Sequence, residues 1–172
     1  AFQPDALRAH FLARVDDLLR EQGSPEERIA LYRAALSGAE DPTRRREVLH
    51  AIGAIERRDL GDLAAAAATY QQALREDPTD KAAFVALTEL YEASGEWEVL
   101  YELLRYAQER EAEGGGDRDE RISLTRRTAE LSAARGWVGR AATHYGELLA
   151  LDGGLSDDAL TAVEKAARAA DD

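Results

Sequence analysis

Glycine recurs at nearly regular intervals along the chain. Gly23, Gly61, Gly95 and Gly136 are separated by 38, 34 and 41 residues. Each glycine lies between two stretches in which apolar side chains recur every three or four residues, the spacing of one helix face. A recurrence at this interval is typical of helical repeats, so the sequence predicts a helix, a glycine turn and a second helix, four times over.

The positions that follow each glycine repeat as well. Tyr32, Tyr70 and Tyr145 each lie nine residues after a turn glycine, and Leu104 lies nine residues after Gly95. Such a fixed distance places the large side chain at the same point of the second helix in every unit. Aromatic residues make up only 6% of the chain and Pro only 4 residues, a composition that favours packed helices over sheets.

Sequences typical of helix N-termini support the same division of the chain into helices. Ser24, Pro25 and Glu27 form a sequence typical of a capped helix start, with Pro at the first helical position and a reciprocal glutamate. Asp41 followed by Pro42 is a similar start. The predicted helices cover about residues 4–22, 25–38, 42–59, 62–76, 80–94, 96–112, 118–135, 137–151 and 156–170.

These residues resemble the tetratricopeptide repeat. In the clearest repeat, the small, aromatic, small, leucine and proline positions of that family are occupied by Ala66, Tyr70, Ala73, Leu74 and Pro78. The next repeat supplies the corresponding residues Phe84, Leu87, Tyr91 and Gly95. Two repeats depart from the pattern, because Arg28 stands where a small residue is expected, and Thr128 and Ser132 replace larger apolar groups.

The resemblance implies an all-α fold. We expect a right-handed superhelix of about four antiparallel helical hairpins, closed by a C-terminal capping helix that carries Leu160, Val163 and Ala167. Residues 1–172 would form a single domain of this kind. Its repeats are expected at about 9–40, 46–79, 80–113 and 121–153, and its terminal helix at about 156–170.

Composition excludes several classes of function. The chain has 22 basic and 34 acidic side chains, a net charge of −12, so we expect no nucleic acid partner. It contains no Cys and no apolar run long enough to span a bilayer, so we expect no thiol chemistry and no membrane insertion. Because it also contains no Met, we expect a processed form or a fragment of a longer product, with a cytoplasmic location favoured.

The sequence carries no pattern of catalytic residues. His10, His50 and His144 lie far apart, and none has the spacing of a metal site. The glycines at 114–116 follow no strand and are typical of a linker rather than a phosphate loop. We therefore predict no enzymatic activity, no cofactor and no metal.

The first helix of each pair lines the concave groove in proteins of this family. The resemblance therefore implies a groove built from residues of four such helices. Carried over by spacing, the candidate partner-binding residues are His10, Asp17, Arg20, His50, Arg57, Val85, Glu89, Glu92, Arg126 and Glu130, with Ala13 and Ala54 beside them.

The implied function is protein–protein interaction, as an adaptor or scaffold that binds a peptide segment or partner protein. Glu89 and Glu92 favour a basic or mixed-charge segment, although an acidic, solvated face explains the same residues. The family's best-known carboxylate clamp uses Lys and Asn, which these groove positions lack. Two alternatives stay open: a self-assembling structural subunit, and a regulatory or recruiting domain of a larger enzyme.

Overall fold

The structure is a computed structural model that describes residues 4–152, Thr161 and Glu164, with side chains from His10 to Leu151 and at those two further positions. The described residues form eight helices and no strand. The helices are α1 (Pro4–Gln22), α2 (Pro25–Ser37), α3 (Pro42–Arg58), α4 (Leu63–Glu76), α5 (Lys81–Ser94), α6 (Trp97–Glu113), α7 (Arg118–Ala134) and α8 (Val138–Asp152). Each agrees with its predicted range to within about one residue. The predicted helix at 156–170 lies outside the described residues, apart from Thr161 and Glu164.

The predicted helix starts are capped as expected. Ser24 Oγ accepts a hydrogen bond from the backbone N–H of Glu27, and Glu27 Oε2 accepts one from the backbone N–H of Ser24, 2.9 Å away. The carboxylate of Asp41 likewise accepts from the backbone N–H of Arg44, at 3.0 Å. These contacts satisfy donors that the first helical turn leaves without partners, which fixes where α2 and α3 begin.

The turn glycines fall into two kinds. Gly61, Gly95 and Gly136 have φ angles of 67°, 74° and 72°, the left-handed region in which a side chain is strained. Gly23 has no such angle, but a Cβ there would stand 2.8 Å from the capping carboxylate of Glu27. The backbone oxygen of Leu19 would stand 3.0 Å from the same Cβ, so close approach, rather than backbone conformation, favours glycine in the first turn.

The chain divides into two compact units, a first unit Ala1–Ser94 and a second unit Gly95–Asp172. The boundary falls at Gly95, inside the third predicted repeat. Within the first unit α1 to α5 pack in sequence order, each against the next, and within the second unit α6 packs on α7 and α7 on α8. This neighbour-to-neighbour packing is that of a helical repeat. The handedness and the single domain of residues 1–172 stay predictions.

The α3–α4 pair forms the core of the first unit. Tyr70 of α4 is buried against α3, as the repeat pattern predicts. Ala66 and Ala73, the small residues on either side of Tyr70, are fully buried and let the helices approach closely. On the other side of α3, a cluster with α2 buries Ile29, Val48, Ile52 and Ile55.

The second unit buries polar side chains where the repeat pattern has larger apolar ones. Thr128 and Ser132 of α7 are fully buried. Their hydroxyls donate to the backbone carbonyls of Leu124 and Thr128, each at 2.8 Å, so neither hydroxyl lacks a partner. The apolar cluster of this unit consists of Ile122, Ala129, Ala141, Tyr145 and Leu148.

Candidate functional site

An open cleft lies between α1, α2 and α3 in the first unit. Its volume is about 590 Å³, and Arg20 and Ala54, both at predicted groove positions, line it. Its charged lining side chains are Asp16, Arg20, Arg28, Arg58 and Asp59, and the uncharged ones are Leu19, Pro25, Tyr32, Ala51, Ala54 and Ile55. The cleft therefore offers both signs of charge beside apolar side chains.

Arg28 holds the three helices around this cleft together. Its Nε donates to Asp16 Oδ1 of α1 at 2.7 Å, and its Nη1 donates to Asp59, which follows α3. Arg28 and Asp16 are both buried. Burial by itself raises the pKa of Asp16, but the hydrogen bond and positive charge of Arg28 outweigh it. The pKa of Asp16 therefore lies below its ordinary value of 3.8.

This network explains how an arginine is accommodated at position 28, where the repeat pattern has a small residue. A small residue in the repeat pattern lets two helices of a pair approach closely, as Ala66 does between α3 and α4. The long side chain of Arg28 cannot do so. It forms ion pairs with Asp16 of α1 and with Asp59 after α3, and it lines the cleft between these helices.

Predicted groove residues of α3 meet the beginning and the middle of α5 through two polar contacts, of which Arg57 with Glu89 is an ion pair. His50 Nε2 lies 2.6 Å from Asp80 Oδ2, and Arg57 Nη1 lies 2.7 Å from Glu89 Oε2. Asp80 is buried, and its other oxygen accepts the backbone N–H groups of Ala82 and Ala83 at the start of α5. The sequence analysis missed Asp80, although an aspartate just before a helix is a cap signal that could have identified it.

Two exposed glutamates, one on α5 and one on α6, each have an arginine partner. Glu89 pairs with Arg57, and Glu98 of α6 lies 2.6 Å from Arg140 of α8. Both glutamates are more than half exposed, so each pair adds little stability by itself. Val85, one turn before Glu89, is 51% exposed and presents an apolar side chain on the same helix.

The remaining predicted site residues occupy separate positions. His10 and Asp17 are exposed on α1 and do not line the cleft. Glu92 is exposed near the end of α5. Arg126 and Glu130 are exposed on α7, in the second unit. Within the first unit, the structure therefore brings together Arg57 with Glu89 and Arg20 with Ala54.

The second unit contains a series of hydrogen-bonded polar side chains around the buried His144, which the sequence analysis did not identify. His144 Nε2 lies 3.1 Å from the hydroxyl of Tyr101, and its Nδ1 lies 2.9 Å from Glu147 Oε2. The Arg140 guanidinium stacks over the Tyr101 ring at 4.4 Å and over the Trp137 ring at 4.7 Å. The spacing of His144 and Glu147, three residues apart on one helix, was the available signal.

The described residues can be compared with the predictions of no metal site and no membrane insertion. No group of three or more His, Asp or Glu side chains within them could hold a metal ion. Among the helices of the described ranges, none is long and apolar enough to cross a membrane.

Comparison with known proteins gives a match to one protein family. Residues 57–98 match the family model of the tetratricopeptide repeat, and this segment includes α4, α5 and the turns at Gly61 and Gly95. A search of curated proteins found no match. Tetratricopeptide repeats generally mediate protein–protein interaction and are typically non-catalytic. Together with the helical structure of the described residues, this match supports a helical repeat protein of the tetratricopeptide type.

Proposed function

We propose that this protein is an adaptor or scaffold that binds an extended segment of a partner protein along α1, α3 and α5 of its first unit. The cleft between α1, α2 and α3 would hold one end of that segment. The α3–α5 contacts of His50 with Asp80 and of Arg57 with Glu89, together with Val85, would contact the rest. Glu92 would lie at its edge. His10 and Asp17, on another side of α1, and Arg126 and Glu130, in the second unit, stay predictions of the sequence outside this site.

The open cleft is the observation that carries this proposal. A cleft of about 590 Å³ is large enough to accept one or two side chains of a partner. Because Arg28, Asp16 and Asp59 neutralise one another in part, the cleft has charged walls without a strong charge of one sign. A partner side chain could therefore enter without leaving a buried charge unpaired.

The charges favour a segment of mixed charge over a purely basic one. Glu89 already has Arg57 as a partner, so a basic side chain would have to compete with that arginine. In the cleft, Arg58 is exposed and has no ion-pair partner among the described side chains, so it would attract an acidic group. An apolar side chain of the segment would cover Val85 and supply the affinity that exposed charges do not.

The experiment selects binding peptides from a displayed random library on the immobilised wild-type chain. Their affinities are then measured by fluorescence anisotropy for Arg20→Glu with Arg58→Glu, and separately for Glu89→Arg with Glu92→Arg. The control carries two reversals away from the cleft and the α3–α5 contacts, Glu40→Arg with Arg75→Glu. We expect a loss of at least about tenfold in one or both test variants and none in the control. Peptides whose affinity neither test variant changes, or a library that yields no binder, would overturn the proposal.

A further inference from the structure

Two large apolar side chains of α1 face solvent. Phe11 is 66% exposed and Leu18 is 48% exposed. They lie seven residues apart, which is two helical turns, so they occupy one side of α1. The side that packs against the first unit carries Leu12 and Asp16, which are buried. Phe11 and Leu18 therefore form an apolar pair on a helix side that nothing in the described residues covers.

The charged residues beside this pair are divided by sign. His10 and Arg14 lie in the first half of α1, and Asp17 and Glu21 lie in the second half, along one flank of the apolar pair. All four side chains are exposed. In the part of the chain with described side chains, His10, Arg14 and Glu21 have no ion-pair partner, and Asp17 has only a contact of 3.6 Å with Arg20.

We propose that α1 binds α1 of a second copy of this chain, antiparallel and about a twofold axis. With the axis midway between Arg14 and Val15, Phe11 of each copy lies opposite Leu18 of the other. The same flank of each helix then faces its counterpart. Arg14 of one copy and Asp17 of the other then lie two residues apart in height, which is about 3 Å along the helix axis. His10 of one copy and Glu21 of the other are separated by the same distance along the axis.

The antiparallel direction follows from the order of the charges. When one copy is reversed, the basic half of its flank meets the acidic half of the other, and the twofold axis makes both contacts at once. In a parallel pair about a twofold axis, the charged flanks of the two copies lie on opposite sides of the interface, so their charges do not face each other. The sequence of signs along α1 thus complements itself in one direction only.

The size of the contact sets its strength. α1 has 19 residues and is about 28 Å long, so one helix against one helix buries less than the roughly 1,200 Å² of a stable interface. We therefore expect a weak dimer, formed in the micromolar range or above. Added salt should weaken it further because the flanking charges are exposed.

This surface is separate from the proposed partner site. The cleft lies beside Asp16 and Arg20, whereas the apolar pair lies on another side of α1. Peptide binding and dimer formation can therefore be measured independently, and the failure of one leaves the other standing.

Sedimentation velocity over a concentration series of the full chain tests the dimer. We expect the mass of the wild-type chain to rise from one copy towards two. Phe11→Ser with Leu18→Ser should stay monomeric at every concentration. The control, Val85→Ser with Leu149→Ser, removes two side chains of similar exposure, 51% and 49%, from α5 and α8, and should dimerise like the wild type. Circular dichroism checks that every variant keeps its helices.

A charge exchange tests the direction of pairing. Arg14→Glu should weaken the dimer at least about tenfold, because it places two acidic groups opposite each other. Adding Asp17→Arg to that variant should restore the wild-type dimer, since the exchanged charges complement each other again. A wild-type chain that stays monomeric, a dimer that survives the two serines, or an Arg14→Glu defect that Asp17→Arg fails to correct would overturn the proposal.

Discussion

The ring of Tyr70 lies directly against the backbone of Gly53, so closely that a Cβ on residue 53 would stand 2.8 Å from two ring carbons. Real Cβ atoms do not approach a ring to that distance. The glycine is therefore part of the α3–α4 interface, where it makes room for the buried aromatic side chain of the repeat. Its place in the repeat is explained by contact, since its backbone angles are those of an ordinary helix.

Replacing this glycine should destabilise the first unit. In Gly53→Ala the new methyl group meets the rigid ring of Tyr70, and we expect the free energy of unfolding to fall by about 1–3 kcal/mol, as in other overpacked cores. Urea denaturation followed by circular dichroism measures it. The control is Gly146→Ala in α8, where a Cβ would meet nothing within 4 Å and helix propensity should add up to about 1 kcal/mol. Equal effects in the two variants would contradict this account of Gly53.

Acid should weaken the first unit through Asp16. Burial opposes the charged form of Asp16, but Arg28 stabilises it more, so its folded-state pKa is below the ordinary 3.8. A depressed carboxyl pKa stabilises the fold above the unfolded-state pKa, and that contribution is lost as the pH falls through the folded-state value. Asp16→Asn should therefore lower stability at neutral pH and flatten its decline below pH 3.8. Asp17→Asn, on the exposed neighbour, should keep the wild-type profile in thermal melts across the acid range.

Two tyrosines of the second unit should respond in opposite directions to loss of the hydroxyl. The buried hydroxyl of Tyr145 has no hydrogen-bond partner among the described residues, so Tyr145→Phe should raise the free energy of unfolding by about 1 kcal/mol. Tyr101→Phe removes the contact with His144 and should lower it by about the same amount. Urea denaturation compares the two. A loss of stability in Tyr145→Phe would show that its hydroxyl has a partner.

Removal of metal ions should leave the protein unchanged. The chain has no Cys and only three His, and within the ranges that the structure describes no ligand group could hold an ion. Prolonged incubation with a chelator is expected to leave the thermal melting curve of the full chain where it was. Plasma mass spectrometry of the untreated protein provides the second measurement, and a stoichiometric metal would prove the prediction wrong.

The helices of the described residues could be predicted because their signals are local. Ser24 and Glu27 cap a helix three residues apart, and glycines such as Gly61 close a turn by their own backbone angle. The α3–α4 packing could also be predicted, since the position of Tyr70 between two small residues recurs at a fixed distance from its glycine. In helical repeats nearly all contacts join helices that follow each other in the sequence. The repeating sequence pattern therefore predicts which helices pack together.

The candidate site could be predicted only in part. Spacing placed Arg57 and Glu89 on helices that line one surface, and it took Glu89 as a contact for a basic or mixed-charge segment. The structure pairs Glu89 with Arg57. His50 was a candidate for a partner's side chain, and its partner proved to be the capping residue Asp80. Spacing on one helix tells which side chains share a face, but not which group of another helix stands opposite them.

By itself, the sequence determined the helices, their turns and the resemblance to the tetratricopeptide repeat, because periodicity, caps and turn glycines act over a few residues. Only the tertiary structure decided the character of the cleft. Arg28 meets Asp16 and Asp59 from 12 and 31 residues away, and nothing in the local pattern indicates that these three charges converge. The physical reason is that an arginine at a small-residue position is stable only where two other helices bring carboxylates to it. Such an arrangement exists only once the chain has folded.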